Sequence, residues 1–290
     1  MFTGSMVAIV TPFRDGSVDW QSLEALVEFH IQNGTHGIVP CGTTGESATL
    51  SHQEHDEVIQ AIVKAVNKRV PVIAGTGSNS TDEAVRLTRE AEKSGADGAL
   101  MISPYYNRPT QEGIFQHYKK VAASVGIPII VYNIPGRTGS KIEPETLARL
   151  AEIKNIAGVK EATGSVDQAI EVIRLCGDGL AVYSGEDSLT FSLMALGGRG
   201  VISTVANIAP KEMSQLTEAC LGGQWEKGRE LQFKLIPLIR SIFIETNPIP
   251  VKTALSLMGR CTPDLRLPLT PMAEGNVKKL KQAMTVFGLL

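Results

Sequence analysis

Eight short apolar runs recur along the first two thirds of the chain. They are VAIVTPF (7–13), GIVPCG (37–42), PVIAGT (71–76), GALMIS (98–103), PIIVYN (128–133), IAGVKEA (156–162), LAVYSGE (180–186) and GVIST (200–204). They return about every 30 residues, the size of one strand–helix unit. Runs that are apolar throughout, rather than at every second residue, suit strands covered on both faces in a parallel sheet. The gaps between them read as amphipathic helices. In DWQSLEALVEFHIQNG, Asp19 is placed to cap, Leu23, Leu26, Val27, His30 and Ile31 share one face, and Gly34 can end the helix. A second helix is expected from about Ser51 to Asn67. A third carries Ala84, Leu87 and Ala91 on its inner stripe, and a fourth lies near 111–124.

Eight such units predict an α/β fold, a closed (β/α)8 TIM barrel, in preference to an open doubly wound sheet. The open sheet usually carries a Gly-rich dinucleotide loop after its first strand. Here TPFRDGSVD follows, with no Gly-x-Gly-x-x-Gly. After about Ala219 the strands stop. QWEKGRELQFKLIPLIRSIFIE reads as helix interrupted at Pro237, and NPIPVKTALSLMG and MAEGNVKKLKQAMTVFG read as helices. The expected division is a barrel over 1–222 carrying the active site and a C-terminal helical region over 223–290. No low-complexity linker separates the two, so they are expected to pack together.

The 290 residues allow one large or two smaller domains, and 43% hydrophobic against 20% charged residues is a folded-globule composition. A net charge of −2 gives no electrostatic reason to expect nucleic acid or an anionic membrane as partner. No apolar run approaches the roughly 20 residues that span a bilayer. The start, MFTGSMVAIVTPFRDG, has no basic leader and reads as a first strand rather than a signal peptide. Cys41, Cys176, Cys220 and Cys261 are far apart, with no zinc spacing, and read as reduced thiols of a cytoplasmic protein. His52 and His55 stand at i, i+3, but no third ligand lies at a recognisable spacing, so no metal is expected.

Barrel enzymes carry their chemistry at the C-terminal ends of the strands. The segments there are GTTGES (42–47), SPYYNRPTQEG (103–113), YNIPGRTG (132–139), VKEATG (159–164), SGEDS (184–188) and ISTVAN (202–207). Lys160 stands out because a charge inside an apolar strand is costly. Alternation places Gly158 and Ala162 on its face, so its neighbours are small. A lysine directed into a narrow barrel loses hydration, which disfavours its ammonium form. The neutral amine attacks carbonyls and forms a Schiff base. The competing reading is a strand-end lysine that snorkels to solvent or pairs with an acid. Tyr132 can move protons if hydroxyls such as those of Thr43, Thr44 and Tyr106 connect it to water. Each of these also has a plain reading, as turn caps or interface aromatics. Arg137 can hold a carboxylate by two hydrogen bonds, or be an ordinary loop arginine. Gly197-Gly198-Arg199-Gly200 precedes the eighth strand, on the face away from the mouth, and is discounted as a phosphate cradle.

Taken in order, GTTGES, SPYYNRPTQEG, VYNIPGRTG and GVKEATG resemble the pyruvate-dependent class I aldolases related to N-acetylneuraminate lyase. Within that group the chain is most similar to the branch that condenses pyruvate with L-aspartate 4-semialdehyde, giving 4-hydroxy-tetrahydrodipicolinate for lysine (diaminopimelate) biosynthesis. The resemblance runs from MFTGS through NPIPVK to the terminal GLL. It implies that Lys160 forms an imine with pyruvate. Tyr132, Thr43 and Tyr106 would then relay protons, with Tyr106 reaching in from a neighbouring subunit. Thr44 and the backbone near Ile202 would hold the pyruvate carboxylate, Gly185 would line the site, and Arg137 would bind the aldehyde substrate's carboxylate. It further implies a homotetramer built as a dimer of dimers, with no cofactor. Ser47, Ala48, His52, His55, Asn79, Glu83 and Tyr105 match the site at which many members bind L-lysine as feedback inhibitor. The rival is a sister lyase for N-acetylneuraminate or a keto-deoxy sugar acid; Arg137 favours a small acid over a polyhydroxylated sugar. Two more distant readings are a pyridoxal-phosphate enzyme built on Lys160 and a non-catalytic barrel that senses pyruvate or lysine.

Overall fold

A computed structural model describes residues 2–290. Its central sheet has eight parallel strands: β1 (Gly4–Ala8), β2 (Gly37–Val39), β3 (Ile73–Gly75), β4 (Gly98–Ile102), β5 (Ile129–Asn133), β6 (Ile156–Glu161), β7 (Ala181–Ser184) and β8 (Gly200–Ser203). Seven of them, β2 to β8, fall within the apolar runs, and β1 overlaps the first run at Val7 and Ala8. Consecutive strands are neighbours from β3 through to β8, and β8 pairs with β1, which pairs with β2. The remaining gap is closed by a parallel bridge from Ile38 to Val72. The Ile38 amide donates to Pro71 O at 3.0 Å and the Gly75 amide to Pro40 O at 2.8 Å. The sheet is therefore a barrel with no free edge.

The first strand differs from its expected span. It begins at Gly4 and ends at Ala8, while Phe13–Arg14 pairs with Ser17–Val18 in a small antiparallel hairpin. The chain leaves the ladder before Pro12: the Ile9 amide still donates to Val39 O at 3.1 Å, but the Val10 amide donates to Asn207 Oδ1 at 3.2 Å. Pro12 has no amide to resume the ladder, and its carbonyl accepts from the Asp19 amide at 2.9 Å. At the other end of β1, Gly4 pairs with Gly200, whose φ is +151°. A Cβ on Gly200 would lie 2.0 Å from Gly4 O, so only glycine fits this contact.

Helices alternate with the strands: α1 (Trp20–Gln32), α2 (His52–Val66), α3 (Thr81–Lys93), α4 (Gln111–Ala122), α5 (Pro144–Ala151), α6 (Val166–Cys176), α7 (Thr190–Ala195) and α8 (Pro210–Leu221). A single turn, Pro135–Thr138, precedes α5. Asp19 caps α1 by accepting from the Ser22 amide, and Ser51 opens α2 in a capping box with Glu54. Apolar packing falls into three bodies. One fills the barrel interior, including Met6, Val39, Ile73, Leu100, Ile130, Tyr132, Ala162, Tyr183 and Ile202. The other two lie between sheet and helices. The lower end of the interior is stopped by Tyr183, whose hydroxyl donates to Phe2 O at 2.8 Å.

Three more helices follow: α9 (Trp225–Ile242), α10 (Ile249–Leu257) and α11 (Glu274–Phe287). Leu235, Leu238, Val251, Leu255, Leu280 and Met284 share one apolar body with Val10, Leu26 and Ile59 of the barrel. The expected interruption at Pro237 does not occur, and α9 runs through it. Proline there deprives the Phe233 carbonyl of its helical donor, but both residues are solvent-exposed and water can replace the lost bond. No helix among the described residues is long and apolar enough to cross a membrane.

The loop beyond α10 is tied back to α2 by Arg266. Its guanidinium donates to both Glu54 carboxylate oxygens at 2.8 and 2.6 Å, to Thr49 O at 3.0 Å and to Gly16 O at 2.8 Å. It also lies 4.4 Å from the centroid of the Phe13 ring. Hydrogen bonding from Arg266 holds the Glu54 carboxyl well below the ordinary glutamate range, at about 2. A carboxyl whose value is depressed on folding stabilises the fold above its unfolded value and loses that contribution as pH falls toward the folded one. Glu54→Gln is therefore expected to melt several degrees below the parent at pH 7, for a loss of about 1–2 kcal/mol at this partly exposed pair. That gap should close as pH falls from 4.5 to about 2, in thermal melts monitored by circular dichroism.

Candidate active site

The barrel's C-terminal mouth is a cavity of about 420 Å³. Thr43, Tyr132 and Arg137 line one end of it. Ser47, Ala48, His52, His55, Glu83 and Tyr105 line the other, so the two groups of residues singled out in the sequence face a single continuous space. Asn79 does not line it; its carbonyl accepts from Asn107 Nδ2 at 2.9 Å.

Lys160 stands on β6 directly beside Tyr132 on β5, which is its register partner. Parallel pairing points both side chains into the barrel, and Lys160 Nζ lies 4.2 Å from the centre of the Tyr132 ring. Lys160 is 5% exposed and Tyr132 6%. Among the described residues the Lys160 amine forms neither an ion pair nor a hydrogen bond, and the side chain is buried, so it neither snorkels to solvent nor makes a direct ion pair. On the outer face the same two strands are pinned by the next pair in register. Asn133 Nδ2 donates to Glu161 Oε2 at 3.2 Å, and Glu161 Oε1 accepts from the Thr163 amide at 2.8 Å. Burial raises the Glu161 carboxyl above the ordinary range.

Space beside Lys160 comes from Gly185, at the end of β7. A Cβ there would lie 2.5 Å from Ala162 Cβ, 3.0 Å from Glu161 O and 3.1 Å from Lys160 Cγ. Thr44 is buried, and its hydroxyl accepts from Asn247 Nδ2 at 3.0 Å, which leaves its own proton available to an anion. The Asn247 carbonyl accepts from Arg137 Nη2 at 3.2 Å. Asn247 thus joins the loops after β2 and β5. Ile202 on β8 points into the interior and is 1% exposed. Lys160, Thr44, Gly185 and Ile202 are not among the residues that line the cavity.

Tyr106 is not brought to the others. It is 90% exposed, with φ at +71°, so its hydroxyl is unavailable to the Lys160 of its own chain. Left-handed φ at non-glycine residues is otherwise found at Cys41 and Glu46 in the loop after β2, at Arg108 after β4, and in the turns at Asp15, Asn67 and Lys68. Such conformations cost about 1–2 kcal/mol each and persist where surrounding contacts impose them.

In many barrels the amides after strands seven and eight cradle a phosphate. Here the Thr204 and Val205 amides, at 3.1 and 2.9 Å, donate to Asp187 Oδ2. Asp187 is 2% exposed, and burial raises its carboxyl above the ordinary range. A phosphate would meet a carboxylate in place of free donors, which disfavours the pyridoxal-phosphate reading. The two histidines are also engaged. His52 Nε2 lies 2.7 Å from Glu83 Oε1, and His55 Nε2 lies 2.9 Å from Gly75 O. Hydrogen bonds from Ser78 and His52 lower the Glu83 carboxyl, so an anion faces this end of the cavity. Burial lowers the His55 imidazole.

Asn247, Glu46, Lys252 and Arg266 were not singled out in the sequence as site residues. For Lys252 a signal existed: a lysine inside the apolar stretch NPIPVKTALSL, the same mark that exposed Lys160. It is fully buried and pairs with Glu46 Oε1 at 2.7 Å.

The Dihydrodipicolinate synthetase family model matches residues 1–286. The chain is 60% identical over 290 residues to a 4-hydroxy-tetrahydrodipicolinate synthase of Syntrophus aciditrophicus (strain SB), with 100% of both chains covered. Among solved structures it resembles the chloride-inhibited dihydrodipicolinate synthase of Acinetobacter baumannii complexed with pyruvate. The TM-score is 0.99 at 50% identity, with 100% of each chain covered. A DHDPS from Cyanidioschyzon merolae with lysine bound matches at TM-score 0.97 and 40% identity, over 100% of this chain and 99% of that one.

Gly185→Ala is expected to destabilise the fold by about 1–3 kcal/mol, since the new methyl has no room. It should also slow the reaction of Lys160 with an amine-directed reagent severalfold, as read by peptide mapping, while lysines on the outer helices react as before.

Proposed function

The chain belongs to the dihydrodipicolinate synthetase family and is an enzyme of the lyase type, and we propose that it condenses pyruvate with L-aspartate 4-semialdehyde through a Schiff base on Lys160. The observation that carries this is a buried lysine, without an ion-pair partner among the described residues, held 4.2 Å from the ring of Tyr132, which lines the cavity. The pyruvate-bound relative supports the keto acid.

The neutral amine of Lys160 adds to the pyruvate carbonyl carbon. Loss of that oxygen as water, with proton delivery, leaves an imine, which draws electrons from the neighbouring methyl group. Loss of a methyl proton gives an enamine, whose terminal carbon attacks the aldehyde to form the new carbon–carbon bond. The amine of the second substrate then adds to the imine carbon, closing the ring and releasing Lys160. Each step needs a proton moved over a short path, the part assigned to Tyr132, Thr43 and Tyr106. Thr44, with its free hydroxyl proton, and the backbone near Ile202 take the pyruvate carboxylate. Gly185 leaves room for it, and Arg137 takes the carboxylate of the aldehyde.

Because Tyr106 is exposed and away from its own Lys160, the relay needs a second copy of the chain to supply it. This supports a homo-oligomer, which we propose to be a tetramer arranged as a dimer of dimers. We assign the far end of the cavity, with Ser47, Ala48, His52, His55, Glu83 and Tyr105 on its lining and Asn79 beside it, to L-lysine as inhibitor. The lowered Glu83 carboxyl suits an ammonium, and a lysine-bound relative supports the ligand. The barrel over 1–222 carries the chemistry and 223–290 the attached helices, in a cytoplasmic enzyme of lysine biosynthesis. A sister sugar-acid lyase is the second reading; Arg137 on the lining favours the small acid.

Borohydride with pyruvate should attach one three-carbon unit to Lys160, located by peptide mapping; label on another lysine overturns the assignment. Lys160→Ala should lower condensation by at least about a thousandfold, the scale of losing a covalent nucleophile. Arg137→Ala should raise KM for the aldehyde far more than for pyruvate. Millimolar L-lysine should slow turnover of the parent, and Glu83→Ala should abolish that response.

A further inference from the structure

The loop that carries Thr43 and Thr44 is gripped from the C-terminal side by a buried ion pair. Glu46 and Lys252 have side chains 1% and 0% exposed, and Lys252 Nζ donates at 2.7 Å both to Glu46 Oε1 and to Asp264 O. The second Glu46 oxygen accepts from the Arg266 amide at 3.1 Å. The ammonium also sits 4.2 Å from the centre of the Phe13 ring. At the other end of the same residue, the Glu46 amide donates to Thr43 O at 3.1 Å. Glu46 has a left-handed backbone, with φ at +54°, a conformation that must be imposed from outside. Helix α10 reaches the loop at a second point, since Asn247 Nδ2, just before the helix, holds the Thr44 hydroxyl.

A buried charge pair is a poor choice for stability alone, because desolvating both charges offsets much of their attraction. Its advantage is direction: a carboxylate held at both oxygens, by Lys252 on α10 and by the Arg266 amide in the loop beyond it, has one position. The pair spans 206 residues of sequence and connects α10 to the turn that sets the two threonines. We infer that Lys252 and Glu46 are positioning residues for pyruvate binding and imine formation, acting through the Thr43–Thr44 turn. This rests on the pyruvate–Lys160 reading above.

The test compares Lys252→Met, which strands Glu46, with Lys252→Met/Glu46→Leu, which removes both charges. Each variant is trapped with borohydride over a range of pyruvate concentrations, well below its melting temperature, and rates are normalised to the protein that traps at saturation. Both variants should need on the order of tenfold to a hundredfold more pyruvate for half-maximal trapping, the scale on which small misplacements act. The double variant should melt closer to the parent than the single one, so that stability recovers and pyruvate affinity does not. If trapping by the double variant follows the parent's pyruvate dependence, the pair only stabilises the fold and the inference is overturned. Should the single variant fail to fold, the double variant decides alone. Failure of the parent itself to trap pyruvate on Lys160 would instead count against the reaction proposed above.

Discussion

The rest of the structure depends on closure of the sheet. Once β2 and β3 meet through Ile38 and Val72, the eight strands enclose a space with no edge and very little width. Whatever points inward must fit or be small, hence Gly158 and Ala162 on either side of Lys160 along its strand and Gly185 beside it after the neighbouring strand. Tyr183 stops the lower end. The Lys160 amine is largely removed from bulk water and, among the described residues, makes no direct ion pair. Strand pairing sets its height against Tyr132, and the outer Asn133–Glu161 contact keeps the two strands from slipping past each other.

The strands and most helices were legible in the sequence because a parallel barrel buries both strand faces, which leaves unbroken apolar runs spaced by amphipathic ones. Ser51 with Glu54 and Asp19 with Ser22 mark helix starts within four residues of sequence, so local chemistry suffices there. The misreadings have specific causes. β1 ends early, although the apolar letters continue to Phe13, because the Val10 amide turns to the Asn207 side chain, 197 residues away in sequence. Pro237 is tolerated in α9 because the carbonyl it orphans faces solvent.

At the site, Lys160 was legible as a charge in an apolar strand, and the Thr43, Tyr132 and Arg137 positions followed from their places after strands. Lys252 carries the same mark on a helix, but its partner Glu46 lies in a loop that reads only as a turn. Nothing short of the folded chain shows that residues 206 apart in sequence are in contact. For the same reason Asn247 could not be foreseen as the link between Thr44 and Arg137. The helices after the barrel are therefore part of the site's framework: they share its core and fasten the loops at its mouth.

The cavity that runs from Tyr132 and Arg137 to His52 and Glu83 has a consequence for chemical intervention. A tethered compound whose two tips each touch one of these pairs of residues would lose its translational freedom once and collect both sets of contacts. The length and stiffness of its tether would decide how well the two halves cooperate.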